Sequence, residues 1–168
     1  MPIARDLLAE LDYECSLTRK TIALVPEAKS GWRPHVKSST IGELAAHLAS
    51  LPNWVSRTLD ASEFDLAPIL GKKFEVPAAS GTADFLARFD ANWKSARESI
   101  AKASDEHLTQ PWTLKHGGKV LATLPRVAAL RSFVMSHSIH HRGQMTVYLR
   151  LLDVPLPAIY GPTADTPL

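Results

Sequence analysis

The sequence predicts an all-α protein built as a four-helix bundle. Four segments carry apolar residues at alternating spacings of three and four, which is the pattern of helices packed at shallow angles. The composition, 45% hydrophobic and 21% charged over 168 residues, is that of a globular chain long enough to bury one sizeable core. We therefore expect a single domain that spans residues 1–168.

Charge, hydropathy and cysteine content narrow the functional classes. The 19 Lys and Arg residues nearly balance the 17 Asp and Glu residues and form no basic run, so we expect no nucleic-acid partner. No apolar stretch approaches the roughly 20 residues that span a bilayer, and Asp6 and Glu10 interrupt the place where a secretory signal needs an apolar core. A single cysteine, Cys15, excludes an intramolecular disulfide. These features favour a cytoplasmic protein without a membrane partner.

The first two helices are defined by their apolar registers. Helix one carries Ala4, Leu8, Leu11, Cys15, Thr18, Ile22 and Val25 in register. Helix two opens at a predicted capping box, in which the Thr40 hydroxyl and the Glu43 carboxylate each satisfy a backbone N–H. Its buried stripe comprises Ile41, Leu44, Leu48, Leu51 and Val55. Pro52 lies inside this segment and predicts a bend or break, because proline cannot donate to the carbonyl of Leu48.

The middle of the chain holds one helix between two irregular stretches. Residues 60–81 contain Pro, Lys and Gly without clear periodicity and predict a long connection between helices two and three. The third helix carries Leu86, Phe89, Trp93, Ala96, Ile100 and Ala103. Gly117-Gly118, between two runs that contain threonine and valine, then predicts a small β-hairpin before helix four.

The fourth helix, over about residues 124–152, has polar residues in the middle of its predicted core stripe. That stripe reads Val127, Leu130, Val134, His137, His141, Gln144, Tyr148 and Leu151. His140 lies on its flank, as a surface, supporting or interface residue, and Arg142 is expected to face away from the stripe. Burying imidazoles costs a few kcal/mol for each unsatisfied group, so these side chains need partners.

Two of these histidines have the spacing of metal ligands. Residues four apart on a helix face the same way, with Cβ atoms about 5 to 6 Å apart, so His137 and His141 can bind one ion. His47, at the edge of the buried stripe of helix two, is the candidate third ligand, since open divalent-metal sites use about three protein ligands. The alternative is a hydrogen-bonded pair of core histidines, and spacing alone leaves both interpretations open.

Two motifs around these histidines resemble those of a known family. LAAHLASLPNW, which contains His47, and HSIHHRGQMTVYLRLLDVPLPAIYGP, which contains His137 and His141, are similar to segments of the DinB family of small four-helix metalloproteins, the DinB/YfiT-like fold. The resemblance implies that these three residues bind a divalent metal, nickel or zinc, and that the chain forms a homodimer. One departure is Asp153, where family members commonly place glycine at the end of the last helix.

The resemblance also implies a reaction class. Some DinB-like proteins use low-molecular-weight thiols, so we expect a metal-dependent thiol S-transferase or a related hydrolase, with a small-molecule thiol as substrate. The residue after His137 is Ser138, so the glutamate base of the HExxH proteases is missing. The alternative is a noncatalytic, metal-stabilised binding or stress-response module, which would need a closed ligand shell.

Auxiliary catalytic groups are less well defined by the sequence. Gln144 is a candidate hydrogen-bond donor, and Tyr148 and Tyr160 are candidate proton donors. The interpretation we favour for Gln144 and Tyr148 is that of orienting or core residues. Cys15 is either a nucleophile, a fourth ligand or a small buried hydrophobic residue, and its place in the helix-one stripe favours the last of these.

Overall fold

The computed structural model describes residues 2–69 and 81–167, and most of them are helical. The α-helices are α1 (Ile3–Ile22), α2 (Ile41–Ser50), α3 (Trp54–Leu59), α4 (Thr82–Lys102), α5 (Asp105–Thr109), α6 (Arg126–Leu130) and α7 (His137–Leu151). Short 3-10 helices span Glu27–Lys29 and Leu51–Asn53, and a π-helical turn, Arg131–Ser136, joins α6 to α7. No helix in these two ranges is long and apolar enough to cross a membrane.

Four long helical segments surround the main core. Helices α1 and α2 each pack against both α4 and α7, so α7 lies between α1 and α2. The core side chains come from all four segments and include Leu11, Ile22, Ile41, Leu48, Phe85, Ile100, Met145 and Leu149. The predicted stripes of helix one and helix two are buried or half-buried at every position, because short-range periodicity determines which face of a helix avoids water.

Pro52 ends α2, as predicted. The α-helix stops at Ser50, Pro52 lies in the 3-10 helix Leu51–Asn53, and α3 continues from Trp54. The break keeps Val55 and Leu59 in the core while the helix direction changes.

The fold is mostly helical, as predicted, but it is not strictly all-α, because the chain also contains a small mixed sheet of order β1-β2-β3. Its strands are β1 (Glu63–Asp65), β2 (Pro111–His116) and β3 (Lys119–Pro125). Strands β2 and β3 form the predicted hairpin, and both glycines of its turn have positive φ, 58° at Gly117 and 78° at Gly118. Strand β3 extends to Pro125, so the fourth helical segment begins at Arg126 rather than at 124.

Strand β1 lies within the connection predicted for residues 60–81, and residues 70–80 of that connection lie outside the described residues. It pairs in parallel with β2, about fifty residues later in the chain, as Glu63 with Thr113. The Asp65 carboxylate accepts from the backbone N–H groups of Gly117 at 2.9 Å and Gly118 at 2.7 Å, which ties β1 to the hairpin turn. Three residues are too few to show a period, so only the tertiary contact reveals this strand.

A second apolar cluster fixes the sheet to the helices. Trp112 and Leu114 of β2 pack with Ala129 of α6, and half-buried Trp54 and Phe133 complete the cluster. The rings of Trp112 and Phe133 lie 6.1 Å apart between centroids. The sheet therefore packs directly on the π-turn, one turn before His137.

The π-turn changes which face of α7 is buried. Leu130 before it and Val134 within it are buried as predicted, but in α7 the buried residues are Ser138, Arg142, Met145 and Leu149. The predicted stripe, His137, His141, Gln144, Tyr148 and Leu151, is half-buried or exposed. A π-turn holds one more residue than an α-turn, and one residue rotates a helix by about 100°. Beyond Val134, the predicted stripe is therefore wrong by one position: each buried residue lies one position after the residue that was predicted to be buried.

Candidate metal centre

The capping box at the start of α2 is confirmed, and it sets the position of His47. The Thr40 hydroxyl accepts from Glu43 N–H at 3.1 Å, and the Glu43 carboxylate accepts from Thr40 N–H at 2.7 Å. With its carboxylate held at the cap, Glu43 serves the helix start, as predicted. Residue 47 follows one turn later on the side of α2 that faces α7.

Three histidine side chains meet between α2 and α7. The Nε2 atoms of His47 and His137 lie 3.3 Å apart, and those of His137 and His141 lie 2.8 Å apart. One ligand atom from each residue falls within 4.8 Å of the other two, and all three residues are half-buried. Within residues 2–69 and 81–167 this is the only group of three or more histidine, cysteine or acidic residues with such geometry. The structure thus brings together the three residues predicted as ligands.

The spacing of these nitrogens fits one small divalent ion. Two nitrogens at about 2.1 Å from a tetrahedral zinc ion stand about 3.4 Å apart. His137 Nε2 lies 3.3 Å from His47 Nε2, close to this value, and 2.8 Å from His141 Nε2, somewhat below it. Three imidazoles with no thiolate suit nickel or zinc as well as other borderline divalent metals.

The environment holds all three imidazoles neutral, which is the protonation state that binds metals. Burial, followed by the neighbouring His141 and His137, lowers the pKa of His47 to about 4. Burial also lowers the pKa of His137, with His141 adding to the effect and a hydrogen bond to the Phe133 backbone opposing it. The pKa of His141 is lowered by burial, against an opposing hydrogen bond to Gln144.

Gln144 orients His141. Its Oε1 lies 2.7 Å from His141 Nδ1, and since an amide oxygen only accepts, the ring proton is on Nδ1. The lone pair of Nε2 is then directed toward the other two histidines. Gln144 thus accepts rather than donates at this contact, and the geometry supports its predicted orienting role.

The two candidate tyrosines differ in their surroundings. Tyr148 packs edge-on against Trp32, with ring centroids 5.8 Å apart, on the same face of α7 as His141 but two turns later. The hydroxyl of Tyr160 donates to Glu14 Oε2 at 2.6 Å and also contacts Arg142. Tyr160 therefore binds the Glu14 carboxylate on the side of α7 that faces α1, because this buried carboxylate is a stronger acceptor than water.

Cys15 and His140 are the remaining residues singled out by the sequence. Burial, followed by the nearby charges of Asp12 and Glu14, raises the pKa of Cys15 to about 12, which leaves almost no thiolate near neutral pH. This supports the interpretation of Cys15 as a buried apolar residue. His140 is exposed, and its ring meets that of His141 edge-on at 4.9 Å between centroids.

The prediction that Arg142 faces away from the core is wrong. Arg142 is 1% exposed and pairs with Glu14, which is 8% exposed, across the contact between α7 and α1. The π-turn rotates Arg142 into the place predicted for His141. A signal for this pair was present in helix one, where Glu14 lies between Leu11 and Thr18 on the buried face and needs a cation.

Comparison with known proteins identifies the family and the fold. A model of the DinB superfamily matches residues 10–145. YrdA, an uncharacterized protein of Bacillus subtilis, is 23% identical over 159 residues, which are 94% of this chain and 88% of that protein. Crystal structures of DinB-like proteins from Bacillus cereus and Bacillus subtilis superpose with TM-scores of 0.70 and 0.68, at 18% and 17% identity. Each superposition covers 92% of this chain, with 95% of the Bacillus cereus chain and 97% of the Bacillus subtilis chain. The chain belongs to the DinB superfamily.

Proposed function

We propose that this protein binds a divalent metal ion, nickel or zinc, through His47, His137 and His141, and that it is a metal-dependent enzyme acting on small-molecule thiols. The observation that carries the proposal is the convergence of three Nε2 atoms from two helices at separations suited to one ion. An S-transferase or hydrolase reaction is the class that fits the resemblance to thiol-using DinB-family members.

The number of ligands supports an enzyme over a purely structural site. Structural zinc sites usually have four protein ligands, whereas catalytic sites have about three and keep a position for water or substrate. In the described part of the chain, the cluster contains three candidate ligands. A bound divalent ion lowers the pKa of water or of a thiol at the remaining position, which makes either one a nucleophile near neutral pH.

The chain's own residues would hold the site in one arrangement. Gln144 keeps the ring proton of His141 on Nδ1. The hydrogen bond to the Phe133 backbone acts on His137 in the same way, and it lies at the π-turn. Tyr148 lies on the same face of α7 as His141, two turns later, and Trp32 packs edge-on against it.

The alternative function, a noncatalytic metal-stabilised module, has one observation in its favour. The candidate ligands come from both α2 and α7, so a bound ion would also cross-link these helices. A structural role of this kind requires no exchangeable position on the ion.

Cobalt substitution distinguishes the two functions. For the enzyme, we expect the visible spectrum of the Co²⁺-loaded protein to change when azide or a small thiol is added, because one ligand exchanges. A panel of thiols and electrophiles should then show turnover that disappears in His141→Ala. A spectrum that does not respond to azide or thiols, together with no metal-dependent turnover, would support the structural module instead.

A further inference from the structure

A buried polar network lies on the side of α7 that faces α1. His137 and His141 lie on the other side, which faces α2. Arg142 donates to Glu14 Oε2 at 2.7 Å, to the Glu14 carbonyl at 3.0 Å and to Thr18 Oγ1 at 3.2 Å. The Tyr160 hydroxyl donates to the same Glu14 oxygen at 2.6 Å, and the Arg142 guanidinium lies over the Tyr160 ring at 5.0 Å. The network therefore joins α7, α1 and the C-terminal segment through one buried charge pair.

Apolar burial selects the rotation of α7 only weakly. If the π-turn became an α-turn, α7 would rotate by one residue position, and Tyr148 and Leu151 would take the places of Leu149 and Leu152. These exchanges keep apolar side chains at the core. The replacement of Met145 by Gln144 would lose buried apolar area.

The charge pair selects the rotation far more strongly. In the rotated arrangement His141 would face Glu14, and Arg142 would leave a buried carboxylate without its cation. Separating one member of a buried pair is strongly destabilising, because it leaves an uncompensated buried charge. The same rotation would turn His137 and His141 away from His47, which separates the three candidate ligands.

We propose that Arg142, held by Glu14 and Tyr160, is a positioning residue for the three-histidine cluster. The ion pair holds α7 in the rotation that the π-turn produces, and this rotation directs His137 and His141 toward His47. The inference rests on the metal site of the proposed function, and it also makes a prediction for the metal-free protein.

A double variant separates the effect of the ion pair on the rotation of α7 from its effect on the stability of the fold. Glu14→Leu combined with Arg142→Met replaces the ion pair by apolar side chains of similar size, a change that is often neutral or stabilising for folding. Tyr160→Phe is the milder variant, since it removes one hydroxyl from a side chain that is 60% exposed. Asp165→Asn is the matched control for the C-terminal segment, because Asp165 pairs with Arg150 and not with Arg142. Ile100→Val in α4 controls for general loosening of the core.

Two measurements apply to each variant. Zinc affinity is measured by competition titration, and the rotation of α7 is measured without metal. For the rotation, spin labels are attached to Val147→Cys on α7 and Glu98→Cys on α4, both exposed positions, while Cys15 stays buried. A rotation of 100° moves a side chain about 5 Å from the helix axis by about 8 Å, which pulsed dipolar spectroscopy resolves.

The positioning role predicts that the double variant unfolds no more easily than the parent, binds zinc at least 10-fold more weakly, and shows a shifted or broadened label distance. Tyr160→Phe should weaken zinc binding about 3-fold, and both controls should match the parent.

Unchanged zinc affinity and unchanged label distance in a folded double variant would overturn the inference, while zinc binding by the parent would leave the proposed function intact. If the double variant does not fold, parent-like zinc affinity in Tyr160→Phe overturns it. If the parent binds no metal, the proposed function fails, and the label distances alone decide whether Arg142 sets the rotation.

Discussion

The two sides of α7 satisfy their polar side chains in opposite ways. On the side that faces α1, the charge of Arg142 is neutralised within the protein, since Glu14, Thr18 and Tyr160 surround its guanidinium. On the side that faces α2, three imidazoles are neutral, half-buried and directed at one another. The first side needs nothing from outside the chain. The second has the donor set and spacing of a site that is completed by an ion.

The largest expected effect is on the α1 side. Arg142→Ala leaves the buried Glu14 carboxylate without its cation, so the free energy of unfolding should fall by about 3 to 5 kcal/mol, measured by urea denaturation. Arg150→Ala is the control on the same helix, because its pair with Asp165 is largely exposed and should contribute less than about 1 kcal/mol. Equal losses in the two variants would remove the distinction between the two sides of α7.

A second prediction concerns the α2 side. Gln144→Leu removes the acceptor for the His141 ring proton, so zinc affinity should fall by about 10- to 100-fold with little change in stability, since Gln144 is exposed. Gln144→Glu keeps an acceptor and should retain the parent's affinity. His140→Gln also changes a side chain beside His141, but it should alter the affinity less than about 2-fold if that ring contact does not orient the ligand. Equal affinity in Gln144→Leu and the parent would show that Gln144 does not orient His141.

The third prediction, also on the α2 side, is a pH dependence of stability in the metal-free protein. The unfolded chain takes up protons on these histidines near pH 6.5, whereas His47 in the fold takes one up near pH 4. Between these values the unfolded state binds more protons, so the free energy of unfolding should fall as the pH is lowered from about 6.5 toward 4. Urea titrations at several pH values test this, with His47→Gln as the comparison. A slope in this pH window as steep in His47→Gln as in the parent would contradict the lowered pKa.

Local features of the fold and the site were predictable from the sequence. The capping box at Thr40, the helix break at Pro52 and the hairpin turn at Gly117 each depend on a few neighbouring residues, and all three are confirmed. The grouping of the three histidines was predictable because His137 and His141 are four residues apart on one helix and face the same way. His47, at the edge of the buried stripe of another helix, was then the obvious third member.

Features that depend on distant contacts were not predictable. Strand β1 is three residues long and is stabilised by β2 and by the hairpin turn. The π-turn interrupts the period on which the stripe of helix four was based, so Arg142 was assigned to the wrong face and Ser138 was not recognised as buried. The metal identity, the thiol substrate, the homodimer and the cytoplasmic location stay predictions.

The most direct test of the metal centre is the metal content of the purified, tag-free protein after reconstitution with zinc or nickel, measured by elemental mass spectrometry. His47→Ala, His137→Ala and His141→Ala are measured beside it, each checked for folding by circular dichroism. We expect about one equivalent of metal per chain in the parent and a large loss in each folded variant. No bound metal in the reconstituted parent, or full occupancy in all three variants, would contradict the assignment of these histidines as ligands.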